Sequence, residues 1–100
     1  MKVLVIGDAI LDVYINGHVE RISQGAPIPI LNYESSKNKL GGAANVAANL
    51  SANGITVSLA CILGDDQESH DLLSLLDKEG INTKIVRCKD KPTIKKVRFV

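Results

Sequence analysis

Gly41-Gly42-Ala43-Ala44-Asn45 holds the residues of this chain best suited to gripping a polar ligand. Two adjacent glycines let main chain approach a ligand without interference from a Cβ. If a helix begins behind them, its first N–H groups have no partner inside that helix and face outward. Asn45 then falls on the first turn, where its amide both donates and accepts hydrogen bonds. Asp8 and Asp12 follow closely on the apolar run Val3-Leu4-Val5-Ile6. In open α/β sheets, ligands bind beyond the carboxyl ends of the strands. A carboxylate accepts only, and so pairs naturally with sugar hydroxyls. Asp8 reads as a turn or capping residue, Asp12 as a ligand contact. The chemistry is that of a site for a sugar-like or phosphorylated small molecule. The spacing is neither G-x-G-x-x-G nor a P-loop, since no Lys-Ser or Lys-Thr pair closes it.

The elements that must position these residues follow from periodicity. Val3–Ile6 is a continuous apolar run bounded by Gly7, as in a strand buried on both faces. Residues 13–18 and 28–34 are short, partly alternating and broken or flanked by Asn16-Gly17, Pro27 and Pro29, which predicts exposed antiparallel strands outside the main sheet. A helix is expected from about Gly42 to Asn53, with Val46, Ala47 and Leu50 as its apolar stripe and Gly54 as its stop. Residues 56–63 form a second buried strand. Asp65-Asp66-Gln67-Glu68 then announces a helix whose apolar face is Leu72, Leu73, Leu75 and Leu76, ended by Gly80. Residues 81–88 and 93–100 complete the set as strands. Strands alternating with helices predict a right-handed parallel α/β core, and the irregular pair after the first strand is an insertion able to project as a lid.

Composition narrows the function. The 100 residues suffice for one small domain. Aromatics are 3% with no Trp, and net charge is +1, which argues against a nucleic-acid partner or general membrane affinity. Lys84, Arg87, Lys89, Lys91, Lys95, Lys96 and Arg98 nonetheless crowd the last stretch. They read either as a solvated strand edge or as a cationic wall beside a phosphorylated ligand. Cys61 and Cys88 form no C-x-x-C and no metal-ligand pattern, so no metal site is expected and Cys61 is a buried thiol. His70 is a surface residue. The N-terminus is no signal peptide, because Gly7, Asp8 and Asp12 interrupt its apolar run. A cytoplasmic protein is expected. The chain stops inside the apolar run Val97–Val100, which predicts an N-terminal part of something larger.

The pattern Gly41-Gly42-Ala43-Ala44-Asn45-Val46-Ala47, then Gly54 and Gly64, resembles the first signature of the ribokinase-like (phosphofructokinase B type) carbohydrate kinases at every fixed position. The segment from Glu20 to Ile30, ERISQGAPIPI, is similar to the R-I-S-P-E-A-P-V-P-V of D-glycero-β-D-manno-heptose 7-phosphate kinases, and Lys91 to Arg98, KPTIKKVR, to their P-T-x-x-K-x-R. With Gly7-Asp8-Ala9-Ile10-Leu11-Asp12 the resemblance covers nearly all of the chain. Gln24-Gly25 departs from the family's Pro-Glu, removing a carboxylate and a rigid residue.

The resemblance implies an α/β, ribokinase-like three-layer fold with a parallel central sheet and a small antiparallel lid. Residues 1–100 would be the N-terminal portion of a single sugar-kinase domain, with lid strands at about 13–18, 28–34 and 93–100. It implies ATP-dependent phosphorylation of the heptose 7-phosphate at its anomeric hydroxyl, for ADP-heptose and lipopolysaccharide core synthesis, with ATP and Mg2+ as cofactors. Asp12, Gly42 and Asn45 match sugar contacts, with Gly41 in the same site. Lys96 and Arg98 would approach the substrate phosphate through charge-assisted bonds. Side chains alternate along a strand, so those two share a face from which Lys95 points away. No catalytic residue is expected here, because the family's catalytic aspartate and anion hole lie in a G-A-G-D-type motif that this sequence lacks. The implied partners are a sugar phosphate and a second copy bound through the lid. Two alternatives stand: a ribokinase-like kinase for ribose, fructose or a sugar acid, and a non-catalytic binding or dimerisation module.

Overall fold

The computed structural model describes residues 1–22 and 29–99, and of residues 18–22 and 29–34 it describes backbone alone. In chain order the elements are β1 (Lys2–Ile6), β2 (Ala9–Ile22), β3 (Pro29–Gly42), α1 (Ala43–Ala52), β4 (Thr56–Gly64), α2 (Gln67–Lys78), β5 (Asn82–Cys88) and β6 (Ile94–Phe99).

The apolar runs 3–6 and 56–63 become neighbouring parallel strands in a sheet ordered β1-β4-β5. Both connections step the same way across that sheet, and right-handed crossovers then set both helices on one face. The inward residues of β4, Val57, Leu59, Cys61 and Leu63, accordingly share one core with Ala44 and Ala47 of α1 and Leu72 and Leu76 of α2. The opposite face carries Leu4, Ile6, Ile62 and Val86, all exposed. Of the stripe expected on α1, Ala47 is buried and Leu50 packs against the core, while Val46 is displaced from it and Ala44 takes its place. Ala44 and Ala47 are buried while Val46 is 50% exposed. Small side chains let the helix lie close to the sheet, and their spacing of three, not the bulk of Val46, marks the inner face.

A second sheet, ordered β3-β2-β6, springs from the carboxyl ends of the first. The short strand expected at 13–18, and the described part, 29–34, of the one expected at 28–34, are the outer parts of two 14-residue strands. They pair antiparallel from Ala9↔Gly42 to Ile22↔Pro29, with irregularities at Asn16/Gly17 and Val19/Arg21. Residues 35–39 are polar throughout, so no alternation of apolar and polar side chains marks them as strand. β6 runs parallel to β2, from Ile10↔Ile94 to Ile15↔Phe99, so this sheet is mixed and not purely antiparallel. Residues 23–28, and with them Gln24-Gly25, lie outside the described residues.

Both helices end as their glycines predict. The N–H of Gly54 bonds to Ser51 and that of Ile55 to Leu50, while Gly80 and Ile81 do the same with Asp77 and Leu76. These are Schellman closures.

Candidate functional site

The register of β2 decides which side chains share a surface. Leu11 is buried in the core and Val13 packs against it, so the intervening Ile10, Asp12 and Tyr14 face the other way. Asp12 stands between Lys39 of β3 and Lys96 of β6, and Tyr14 between Lys37 and Arg98. Ile10 pairs with Gly41, beside Asp12. A Cβ on Gly41 would lie 2.7 Å from Asp12 Oδ2 and 2.9 Å from its Cγ, so the carboxylate rests on the bare glycine. Lys95 takes the helix side instead, where its Nζ lies 3.5 Å from Glu68 Oε1.

Four cations, Lys37, Lys39, Lys96 and Arg98, therefore border one carboxylate and one phenol ring. Lys39 Nζ sits 4.8 Å from the centroid of Tyr14, and Arg98 Cζ 5.8 Å from the same centroid. Tyr14, Asn16, Ser35, Lys37 and Lys39 line a shallow hollow of about 330 Å³. The cationic wall suggested by the sequence is thus split. Lys96 and Arg98 belong to it, Lys95 does not, and Arg87 is engaged elsewhere.

Gly42 works differently from Gly41. Its φ of 57° and ψ of −135° form a conformation open essentially to glycine alone. Its turn places the Ala43 N–H 2.8 Å from the Asp8 carbonyl, so the first N–H of α1 is held by the β1–β2 turn and does not face outward. A Cβ on Gly42 would come within 2.5 Å of that same carbonyl oxygen. Asn45 is exposed on the first turn of α1. It lines a second hollow, of about 300 Å³, with Asn38, Lys39, Leu40, Ala48 and Leu75 among others, so Lys39 borders both hollows. The structure therefore brings Asp12, Gly41, Lys96 and Arg98 to one face, with Gly42 at its margin, and places Asn45 in a neighbouring hollow that shares Lys39 with it.

A hydrogen-bonded latch holds β6 at its start. Asp66 caps α2 by accepting from the Ser69 N–H at 2.9 Å. The same carboxylate accepts from the Thr93 N–H at 2.8 Å and the Thr93 hydroxyl at 2.7 Å. The Thr93 hydroxyl accepts in turn from the Gly64 N–H at 3.0 Å. Arg87 donates to the Gly64 carbonyl at 3.2 Å and to Ser69 Oγ at 2.8 Å. The hydrogen bonds from Thr93, main chain first and hydroxyl second, hold the Asp66 carboxyl below the usual carboxylate range. Gly64 is needed because a Cβ there would lie 2.6 Å from Asp66 Oδ2 and 2.7 Å from the Thr93 nitrogen.

Cys61 and Cys88 are free thiols, and burial pushes the Cys61 thiol up. Among the described residues no three His, Cys, Asp or Glu side chains gather as metal ligands, and no helix is long and apolar enough to cross a membrane.

The profile of the pfkB family carbohydrate kinases matches residues 1–100. The chain belongs to that family. Among curated relatives, the bifunctional protein HldE of Coxiella burnetii is 46% identical over 99 residues, 99% of this chain and 21% of the relative. The D-beta-D-heptose 7-phosphate kinase of Bordetella bronchiseptica is 41% identical over 99 residues and is spanned to 32% of its length. This pfkB chain thus spans about a fifth to a third of those relatives. Its fold matches a carbohydrate kinase from Agrobacterium tumefaciens with a TM-score of 0.79 at 24% identity, covering 99% of this chain and 31% of that one. It also matches phosphofructokinase-2 from Escherichia coli at 0.74 and 20% identity, with coverage of 99% and 30%. The ribokinase-like α/β fold expected from the sequence is therefore the fold of this pfkB chain.

Sequence reasoning missed Tyr14, Lys37 and Lys39 on the Asp12 face. Their signal was the alternation Asp12-x-Tyr14 against Lys37-x-Lys39, which becomes legible only once β3 is recognised as strand up to its glycines.

Proposed function

We propose that this chain supplies the sugar-holding part of an ATP-dependent sugar kinase acting on D-glycero-β-D-manno-heptose 7-phosphate at its anomeric hydroxyl, in the supply of ADP-heptose for lipopolysaccharide core. The observation that carries the reading is the shared face of Asp12, Lys96 and Arg98 beside Gly41. One carboxylate there suits ligand hydroxyls, and the neighbouring cations suit a phosphate. Relatives named for heptose 7-phosphate support the choice of sugar. Gly42 shapes the margin of the site. Asn45 contributes if the sugar, or a movement of α1, bridges the two hollows.

ATP and magnesium, implied by the family, are assigned no residues here. The described residues hold no metal-ligand cluster, and the chain's own part is binding and orienting the sugar. Alone it is expected to transfer no phosphoryl group. We further propose a cytoplasmic protein that pairs with a second copy through the β3-β2-β6 sheet, which sedimentation of the full-length protein tests.

The deciding experiment is a substrate panel. The full-length protein carrying this chain is given ATP with heptose 7-phosphate, ribose, fructose or fructose 6-phosphate. Preferential turnover of the heptose phosphate is expected, and preference for an unphosphorylated sugar would overturn the choice of substrate. Asp12→Asn should lower kcat/KM for the preferred sugar about tenfold or more, the scale of a lost hydrogen bond to a charged group.

A further inference from the structure

Lys37, Lys39 and Tyr14 are not among the residues that the family resemblance assigns, yet they complete the surface on which Asp12 and Arg98 stand. Tyr14 lies two residues beyond Asp12 on the same face of β2, about 7 Å along the strand. Its ring is approached by Lys39 from β3, 4.8 Å from the centroid, and by Arg98 from β6, 5.8 Å from it. Among the described residues no carboxylate forms an ion pair with Lys37, Lys39, Lys96 or Arg98, and only Lys95, on the other face, has one. Aromatic faces attract cations without neutralising them. Tyr14 therefore holds two cationic heads in place while leaving their charge available.

The arrangement selects its ligand by shape as well as charge. An extended polyanion laid along the sheet would meet the Asp12 carboxylate between the cations and be repelled. A compact ligand with hydroxyls at Asp12 and an anionic group about 7 Å away meets only complementary partners. A sugar bearing a phosphate at its far end has that form.

We infer that Lys39 is a specificity-determining residue for a terminal phosphate on the substrate, acting with Arg98, and that Tyr14 is the positioning residue that holds both cations. The inference rests on the sugar-phosphate reading above and extends it to β3. Lys37, which lines the same hollow, adds long-range attraction.

The test uses the full-length protein and its Lys39→Gln, Tyr14→Leu and Tyr14→Phe variants. Inorganic phosphate is titrated calorimetrically, and KM and kcat are measured for heptose 7-phosphate beside binding of the unphosphorylated heptose. Lys39→Gln and Tyr14→Leu should weaken phosphate about tenfold, the lower end expected for a charge-assisted contact. They should raise KM for the phosphorylated sugar similarly, with kcat unchanged. Tyr14→Phe keeps the ring and should stay within about twofold of wild type. Binding of the unphosphorylated sugar should not move in any variant. Unchanged phosphate affinity in Lys39→Gln, or equal weakening toward both sugars, overturns the inference. Lys39-dependent phosphate binding by a protein that phosphorylates no heptose phosphate would instead support the anion site and sink the kinase substrate.

Discussion

Gly41 and Gly42 are adjacent in sequence, yet the structure asks different things of them. At Gly41 the neighbour of a hypothetical Cβ is the Asp12 carboxylate, 2.7 Å away, which is a side chain able to swing aside. At Gly42 the neighbour is the Asp8 main-chain oxygen, 2.5 Å away, and the backbone angles already exclude most residues. Gly41→Ala should therefore displace Asp12 while costing less than about 1.5 kcal/mol of stability. Its signature is a fall of more than about tenfold in kcat/KM with a nearly normal melting curve. Gly42→Ala should cost about 3 kcal/mol, from backbone strain together with the clash. Denaturant unfolding of the two variants separates these outcomes, and equal destabilisation would refute the division of labour. The pair was conspicuous in the sequence as a ligand-approach motif. That one glycine makes room for Asp12 and the other for a turn was not legible, because both facts depend on residues some thirty positions away.

At the scale of elements, the latch around Asp66 is what ties the strand carrying Lys96 and Arg98 to the first sheet. Removing the carboxylate in Asp66→Ala takes away the α2 cap and leaves the Thr93 N–H and hydroxyl without their acceptor, a loss of about 2 kcal/mol. The latch also predicts a pH dependence. The Asp66 carboxyl titrates lower in the folded state than in the unfolded chain. Its ionised form therefore contributes fully above the ordinary carboxylate value of about 4 and is lost as pH falls through the lower folded value. Between pH about 5 and about 2.5, the melting temperature of Asp66→Asn should fall less steeply than that of wild type; parallel slopes would refute the role. The sequence announced a capped helix here, and the cap is real. It could not disclose the second task, since Thr93 is brought to Asp66 by the turn after β5. The same limit applies to β2 and β3. Their apolar, alternating parts were readable, whereas the polar run 35–39 and the register placing Lys39 opposite Asp12 come from pairing between strands.

At the largest scale, the described residues are asymmetric in a way that follows from their topology. Two crossovers in the same direction put α1 and α2 on one side of the first sheet, and among the described residues no helix covers its other side. That side presents Leu4 at 57%, Ile6 at 75%, Ile62 at 63% and Val86 at 63% exposure. Ile62 and Val86 are register partners, so they form a continuous apolar strip and not scattered contacts. Parallel sheets are stable chiefly when both faces are covered, and an apolar patch of this kind drives association when left open. These 100 residues expressed by themselves should bind a hydrophobic dye such as ANS strongly and sediment as concentration-dependent oligomers. The double substitution Ile62→Lys and Val86→Lys should remove both behaviours while preserving the far-ultraviolet circular dichroism, because neither side chain enters the core shared with α1 and α2. Association that survives the double substitution would move the contact to the second sheet, where Val97 and Phe99 are also exposed. A second pair of substitutions there, Val97→Lys and Phe99→Lys, would then disperse the oligomers and identify the β3-β2-β6 sheet as the pairing surface.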